Sequence, residues 1–272
     1  MPSELKDKVV IITGASSGIG RALAEELGVS GALVVLVARR EVLLKTCAAS
    51  IEAAGGKAFI VVADISREEE CKRLMEEIVA RFGRIDVLIN NAGVSMRALF
   101  HQTEPDVLQR IMDVNFWGTV YCTRYALPHL LETRGTVVGI SSVAGFKGLP
   151  GRTGYSASKF AMHGFLEALR VEYMKMGLHV LIVCPGFTRS EIRSKALTAN
   201  GAPQGSSPRD EQKMMEPSMV ARKTIRAIKK HRRLLILTME GKLVIALQRL
   251  FPGALDRVVY KQMAKEPNSP FK

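Results

Sequence analysis

The chain has 272 residues, 47% of them hydrophobic and 24% charged, a balance that excludes a disordered or collagen-like polypeptide. Its formal net charge is +13, and its four cysteines (Cys47, Cys71, Cys122 and Cys184) are scattered, with no CxxC pair and no histidine cluster nearby. That usage argues against a disulfide framework or a zinc site and suits a reducing compartment.

Short apolar runs rich in β-branched residues recur along the chain, separated by helical patterns. Lys8 to Thr13 comes first, then a glycine-rich turn and a helix-like stretch from Ile19 to Leu27. Runs follow at 32–38, 57–63, 86–90, 135–141 and 178–184, and Arg232 to Thr238 reads as a seventh strand. Each run is apolar on both faces, as strands inside a parallel sheet are. Helical segments are expected at 41–54, 67–82, 104–131 and 155–176. The alternation implies right-handed crossovers and an α/β, doubly wound, Rossmann-type sheet with helices on both faces. The stretch from about 195 to 217 is rich in Gly, Pro, Ser and Asn, and is expected to be part of a flexible lid loop, about 188–217, inserted late in one domain rather than a linker. The whole chain, 1–272, is read as a single domain ending in a basic extension from about 239.

The charge is concentrated at that end, where residues 220–272 hold 13 basic and 3 acidic side chains. Amphipathic helices are expected at 241–251 and 255–263. Such a tail can lie on an anionic membrane surface, cap a cleft, or be only a solvated face. No nucleic-acid recognition motif accompanies it, so nucleic-acid binding is not expected. The charged opening of the chain lacks the apolar stretch of a secretory leader, and no run of about 18 apolar residues occurs. The expectation is a cytoplasmic protein, with peripheral membrane contact as an added possibility.

Thr13-Gly-Ala-Ser-Ser-Gly-Ile-Gly20 follows the first strand and opens a helix. Glycines there let the backbone turn tightly against a pyrophosphate, while the helix start presents free N–H groups to it. The spacing is GxxxGxG. Where NAD-binding chains carry an acidic residue at the end of the second strand, this one reads Val37-Ala-Arg-Arg40. Two guanidiniums in place of a carboxylate favour NADP(H), although Arg39 and Arg40 could merely begin the next helix.

Tyr155-Ser-Ala-Ser-Lys159 places a phenol and an ammonium four residues apart on one helix face. The ammonium is expected to favour phenolate and draw the phenol toward the working pH range. Ser142 lies 13 residues before Tyr155, Asn90-Asn-Ala-Gly93 ends a strand, Asn115 sits in the following helix, and Pro185-Gly186 follows the sixth strand.

With these motifs in this order, residues 7 to about 193 strongly resemble the short-chain dehydrogenase/reductase superfamily, of the NADP-preferring type with TGxxxGxG and YxxxK motifs. The resemblance implies a seven-stranded sheet in order 3-2-1-4-5-6-7 and hydride transfer between a nicotinamide and a carbonyl or secondary alcohol. It implies that Tyr155 handles the substrate proton, that Lys159 holds the nicotinamide ribose and lowers the Tyr155 pKa, that Ser142 bonds the reacting oxygen, and that Asn115 anchors a proton-relaying water. It further implies cofactor contacts from Gly14, Ser16, Ser17, Gly18, Ile19 and Gly20, and from Asp64 and Ile65 at the adenine. Asn91, Ala92 and Gly93 would line the adenosine ribose side, with Pro185, Gly186, Thr188 and Ser190 near the nicotinamide.

Ser17 stands where many NADP-specific members have a basic residue, which leaves Arg39, with Arg40, as the 2′-phosphate ligand and admits some NAD(H) use. The substrate is expected to be a lipophilic ketone, long-chain or steroid-like. The alternatives are a 3-oxoacyl thioester, if basic residues such as Arg97, Lys147, Arg152, Arg189 and Arg193 face inward, or an NADP(H)-sensing protein on the same fold. A homodimer or homotetramer through the long helices is also implied. None of the five histidines forms a metal-ligand pattern, and all are read as structural or surface residues, as Trp117 is read as helix packing.

Overall fold

A computed structural model describes residues 5–271, so the first four residues of the charged opening and Lys272 of the basic tail lie outside the described residues. Seven parallel strands join one sheet in the order β3-β2-β1-β4-β5-β6-β7, as expected. They are β1 (Val9–Thr13), β2 (Leu33–Ala38), β3 (Lys57–Val62), β4 (Val87–Asn90), β5 (Thr136–Ile140), β6 (His179–Cys184) and β7 (Leu234–Ile236). Ile11 stands opposite Val35 in β2 and Leu88 in β4, so the first strand lies inside the sheet with neighbours on both sides.

Because side chains alternate across a strand, β1 feeds two separate cores. Val10 and Ile12 pack with Leu23 and Leu27 of α1 (Gly18–Val29), Leu44 of α2 (Glu41–Ala53) and Ile225 of α7 (Pro217–Lys229). Val9 and Ile11 pack on the other face, with Leu74 and Ile78 of α3 (Glu68–Phe82), Ala126 of α5 (Gly118–Glu132) and Leu166 of α6 (Thr153–Glu172). Helix α3 starts on three glutamates, which suit a helix N-terminus, and stops at Gly83 with φ +70°, a left-handed position that glycine takes without strain.

The helix expected over 104–131 is not continuous. It divides into α4 (Pro105–Met112), a π-helical turn at Asp113–Trp117, and α5. Trp117 at the end of that turn stacks on Tyr121 with ring centroids 5.6 Å apart and remains partly exposed. Beyond β7 the tail forms α8 (Met239–Leu250) and α9 (Pro252–Ala264). No helix among the described residues is long and apolar enough to cross a membrane.

Candidate active site

In a parallel sheet every strand delivers its C-terminal end to the same edge, and ligands bind there where the strand order reverses. Gly14 follows β1, Arg39 follows β2, Asp64 stands two residues after β3, Asn91 follows β4, Ser142 stands two residues after β5, and Pro185 follows β6. They border one cavity of about 630 Å³. Gly14, Ser16, Ser17, Gly18, Ile19, Arg39, Arg40, Asp64, Ile65, Asn91, Ala92 and Gly93 line its nucleotide end. Ser142, Tyr155, Lys159, Pro185, Gly186, Thr188 and Ser190 line the other end.

The glycine turn is held from below. Thr13 Oγ1 accepts hydrogen bonds from the Asn91 and Ala92 N–H groups at 3.0 and 3.1 Å, and Asn91 Nδ2 donates to the Thr13 and Gly14 carbonyls. Gly20 does not line the cavity. A Cβ there would run into the Gly14 carbonyl and the Asn91 amide, so its smallness lets α1 start directly beneath the turn. Gly14 and Gly18 both have positive φ, at +68° and +56°.

The two arginines after β2 differ. Arg40 Nη2 donates to Ser16 Oγ and Ser17 Oγ at 3.0 Å each, folding its guanidinium over the glycine turn, and Nη1 reaches Glu191 Oε2. Arg39 points toward Asp64 at 3.5 Å and is mostly exposed. The chain was expected to rely on Arg39 first, whereas the geometry gives the turn to Arg40. Asp64 accepts from the Ser66 N–H and hydroxyl through Oδ1. Burial opposes its charge, but those bonds and Arg39 together hold its carboxyl below the usual range.

At the opposite end, Tyr155 lies in the first turn of α6 and Lys159 one turn on, with Nζ 5.8 Å from the Tyr155 ring centroid. Lys159 is buried and donates to the Ile140 carbonyl at 3.0 Å; burial pulls its pKa down to about 8. Burial also pushes the Tyr155 phenol above its usual value, countered by a hydrogen bond with Ser142 and the charges of Arg152 and Arg193. The sequence pointed to Lys159 drawing the phenol down. In the folded chain desolvation is the largest influence on the phenol and raises its pKa, so the phenol stays protonated at neutral pH.

Ser142 begins the turn after β5, with Oγ accepting from the Ala144 N–H at 3.1 Å. Asn115 is fully buried within the π-helical turn. Its amide Nδ2 donates to the Val94 carbonyl and Ser158 Oγ at 2.9 Å each, and its Oδ1 accepts from the Val94 N–H at 2.8 Å. The extra residue of the turn aims this amide at the loop after β4. Asn115 does not line the cavity; Oδ1 and Lys159 Nζ both lie close to Gly93.

His163, read as structural or surface, is buried one turn beyond Lys159 on the same stripe of α6. Its Nε2 shares a 2.6 Å hydrogen bond with Ser141 Oγ, and its ring meets Phe146 edge-on. Burial, and then the Lys159 charge, hold it near pKa 4, so it is neutral and adds no second cation beside Lys159. The 155, 159, 163 spacing was the available signal. All four cysteines are buried free thiols, and no cluster of metal-ligating side chains occurs among the described residues.

Because the charged form of Lys159 is the form that burial disfavours, it destabilises the fold wherever it persists. Lys159→Met is expected to raise thermal stability by about 1–2 kcal/mol at pH 7, after the lost Ile140 bond is allowed for. The gain should be complete below pH 8 and fade toward the unfolded-state value of 10.5, as paired melting curves across that range would register.

The fold and this edge of the sheet define a nucleotide-binding α/β protein with a Tyr–Lys pair in its cleft. Comparison with known proteins gives the family: residues 8–201 match the short chain dehydrogenase family, and the chain belongs to it. The chain is 48% identical over 198 residues to 11-beta-hydroxysteroid dehydrogenase A of Arachis hypogaea, a match covering 71% of this chain but only 56% of that protein. The chain thus spans little more than half the length of the curated relatives it matches. A short-chain dehydrogenase from Streptomyces avermitilis has a similar structure, with a TM-score of 0.81, 30% identity, and 97% of this chain and 98% of that one covered. An alcohol dehydrogenase from Thermococcus sibiricus complexed with 5-hydroxy-NADP aligns with a TM-score of 0.75 and 25% identity, covering 85% of this chain and 94% of that one.

Proposed function

We propose that the protein is an NADP(H)-dependent oxidoreductase that interconverts a neutral, lipophilic carbonyl compound and its alcohol. One observation carries this reading: Ser142, Tyr155 and Lys159 converge on the cavity whose far end is the glycine turn with Arg40 folded over it. The residues present suit a dinucleotide. Donors cluster at the start of α1 for a pyrophosphate, Arg40 and Arg39 lie where a ribose 2′-phosphate would sit, and Lys159 can donate to ribose hydroxyls. When bound, the reduced nicotinamide supplies a hydride for the carbonyl carbon. Tyr155, kept protonated by its burial, gives its proton to the carbonyl oxygen as that oxygen gains charge. Ser142 donates a hydrogen bond to the same oxygen and fixes its position. Lys159, one turn behind Tyr155, supports return of the proton to it, with Asn115 holding the loop after β4.

The choice of a neutral substrate over a 3-oxoacyl thioester rests on where the basic candidates go. Arg97 and Arg152 meet Glu266, Lys147 meets Asp256, Arg189 meets Glu216, and Arg193 meets Glu211. Each of these five cations meets a carboxylate, one that Arg97 and Arg152 share, and the cavity takes apolar lining from Leu149, Phe187, Ile192 and Leu197. A protein that only senses NADP(H) has no need for the Ser142–Tyr155–Lys159 set. Self-association through α5 and α6 belongs to the same reading, supported by Trp117, Phe160 and Val171 exposed there. A basic, apolar face on α8 and α9, with Leu243, Leu250, Phe251 and Val258 exposed, supports peripheral contact with an anionic membrane.

The test is NADPH oxidation across short ketones, quinones, long-chain aldehydes, steroids and 3-oxoacyl thioesters, with NADH in parallel. Turnover confined to large neutral carbonyls, and faster with NADPH, is the expected result. Preference for the thioesters would overturn the substrate class, and silence with tight NADPH binding would leave the sensor reading in its place.

A further inference from the structure

Three segments frame the substrate end of the cavity: the loop after β4, the turn between β5 and α6, and the 188–217 segment. Each contributes one arginine to a single point. Arg97, from the first, has Nη2 at 3.5 Å from Glu266 Oε2 and donates to the Pro267 carbonyl at 2.7 Å. Arg152, from the second, lies 3.4 Å from the same carboxylate oxygen. Arg209, from the third, donates to Glu266 Oε1 through Nε and Nη2 at 2.9 and 2.7 Å. The carboxylate is 5% exposed, and the three arginine side chains are 8%, 11% and 20% exposed.

A lone buried carboxylate facing three guanidiniums is an unusual balance. Burial drives the Arg152 pKa down, Glu266 pushes it back toward its ordinary value, and the charges of Arg97 and Arg209 oppose that return. Arg97 Nε, within the same cluster, has no hydrogen-bond partner. Two of the bonds reach the cavity, one directly and one through an aromatic ring. Arg152 is itself a lining residue, one turn before Tyr155. Arg209 stacks on the ring of Phe187, another lining residue, with its Cζ 3.8 Å from the ring centroid. Neighbouring backbone bonds tie the same segments together, from Arg97 N to the Leu197 carbonyl and from Ala98 N to the Gly151 carbonyl, so a shift of one carries the others.

We propose that Glu266 is a positioning residue for substrate: from the C-terminal tail it locks the three segments that shape the carbonyl-binding end of the cleft, and so sets which substrates fit. This rests on the oxidoreductase reading, but the lock itself does not need turnover to be seen. Glu266 touches neither substrate nor cofactor, and acts through Arg152 and through the Arg209–Phe187 stack. Its removal leaves three arginines without their shared counter-ion, so the 188–217 segment and Phe187 lose their anchor while the glycine turn is untouched.

The experiment compares the NADPH-bound wild type with Glu266→Gln and Glu266→Asp, and with Arg209→Gln, which cuts only the arm to the 188–217 segment. For Glu266→Gln the expected result is a rise of about tenfold in KM for a large neutral ketone, with KM for a small ketone, kcat and NADPH affinity within about twofold. Amide exchange across 188–217 should be about tenfold faster or more. Arg209→Gln should reproduce both changes in smaller measure, and Glu266→Asp should largely restore them, as a packing role alone would not. In Glu266→Ala, added acetate should recover part of the lost exchange protection. Unchanged exchange and unchanged KM ratios in both Gln variants would overturn the proposal, as would equal losses with Glu266→Asp. If the wild type reduces no carbonyl yet the exchange differences appear, the lock stands and the oxidoreductase reading falls.

Discussion

Tyr155→Phe is expected to lower kcat for carbonyl reduction by about 10³-fold while NADPH affinity stays within about twofold. The variant removes one oxygen from a ring that stays in place in the first turn of α6, so packing is preserved. The size of the loss follows from what the site offers instead. Ser142 can bond the carbonyl oxygen, but its hydroxyl is a far weaker acid, and Lys159 lies behind the ring with its ammonium on the Ile140 carbonyl. The pH profile carries the sign. Burial keeps the phenol protonated, so reduction should run flat through neutrality and fall on the alkaline side. That fall should begin near pH 8, where Lys159 loses the charge that supports proton return. A variant that reduces ketones at the wild-type rate would remove Tyr155 from the role of acid.

The second large effect concerns the cofactor. Arg40→Ala is expected to weaken NADPH binding about 10- to 100-fold, the worth of charge-assisted bonds to a phosphate, and to change NADH binding little. Arg39→Ala should do much less, because its guanidinium is directed to Asp64 and lies mostly in solvent. Binding isotherms for the two nucleotides with each variant separate these outcomes. Equal losses for NADPH and NADH would mean that Arg40 supports the glycine turn through Ser16 and Ser17 rather than reading the 2′-phosphate.

The sheet was legible because its strands announce themselves. Val34, Val35, Leu36 and Val37 are all buried, and only a strand covered on both faces is apolar without alternation. The glycine turn and the Tyr155–Lys159 pair were legible because their chemistry is local, confined to eight and five residues. Asn115 was found, but not its setting: a single extra residue between α4 and α5 barely perturbs a helical hydrophobic pattern, and the π-helical turn shows only in the backbone. Glu266 was out of reach for a different reason. It meets Arg97, Arg152 and Arg209 across 169, 114 and 57 positions of sequence, and nothing in a charge count says which carboxylate answers which guanidinium. The same blindness hid which carboxylates meet the five basic candidates.

The order of the strands also bears on how the chain assembles as it is made. Strands β1 to β3 can pair as soon as about the first 62 residues are free, but β1 then waits, with one edge bare, for β4 to reach it in the Ile11–Leu88 register. Once β4 pairs, most of the nucleotide pocket exists, with two thirds of the chain still to come. The strands beside Tyr155 follow, β7 arrives after residue 234, and the carboxylate at 266 comes later still. A nucleotide that binds there would steady the early third while the rest is still searching, which would make cofactor supply during synthesis a determinant of how much of this protein reaches its finished form.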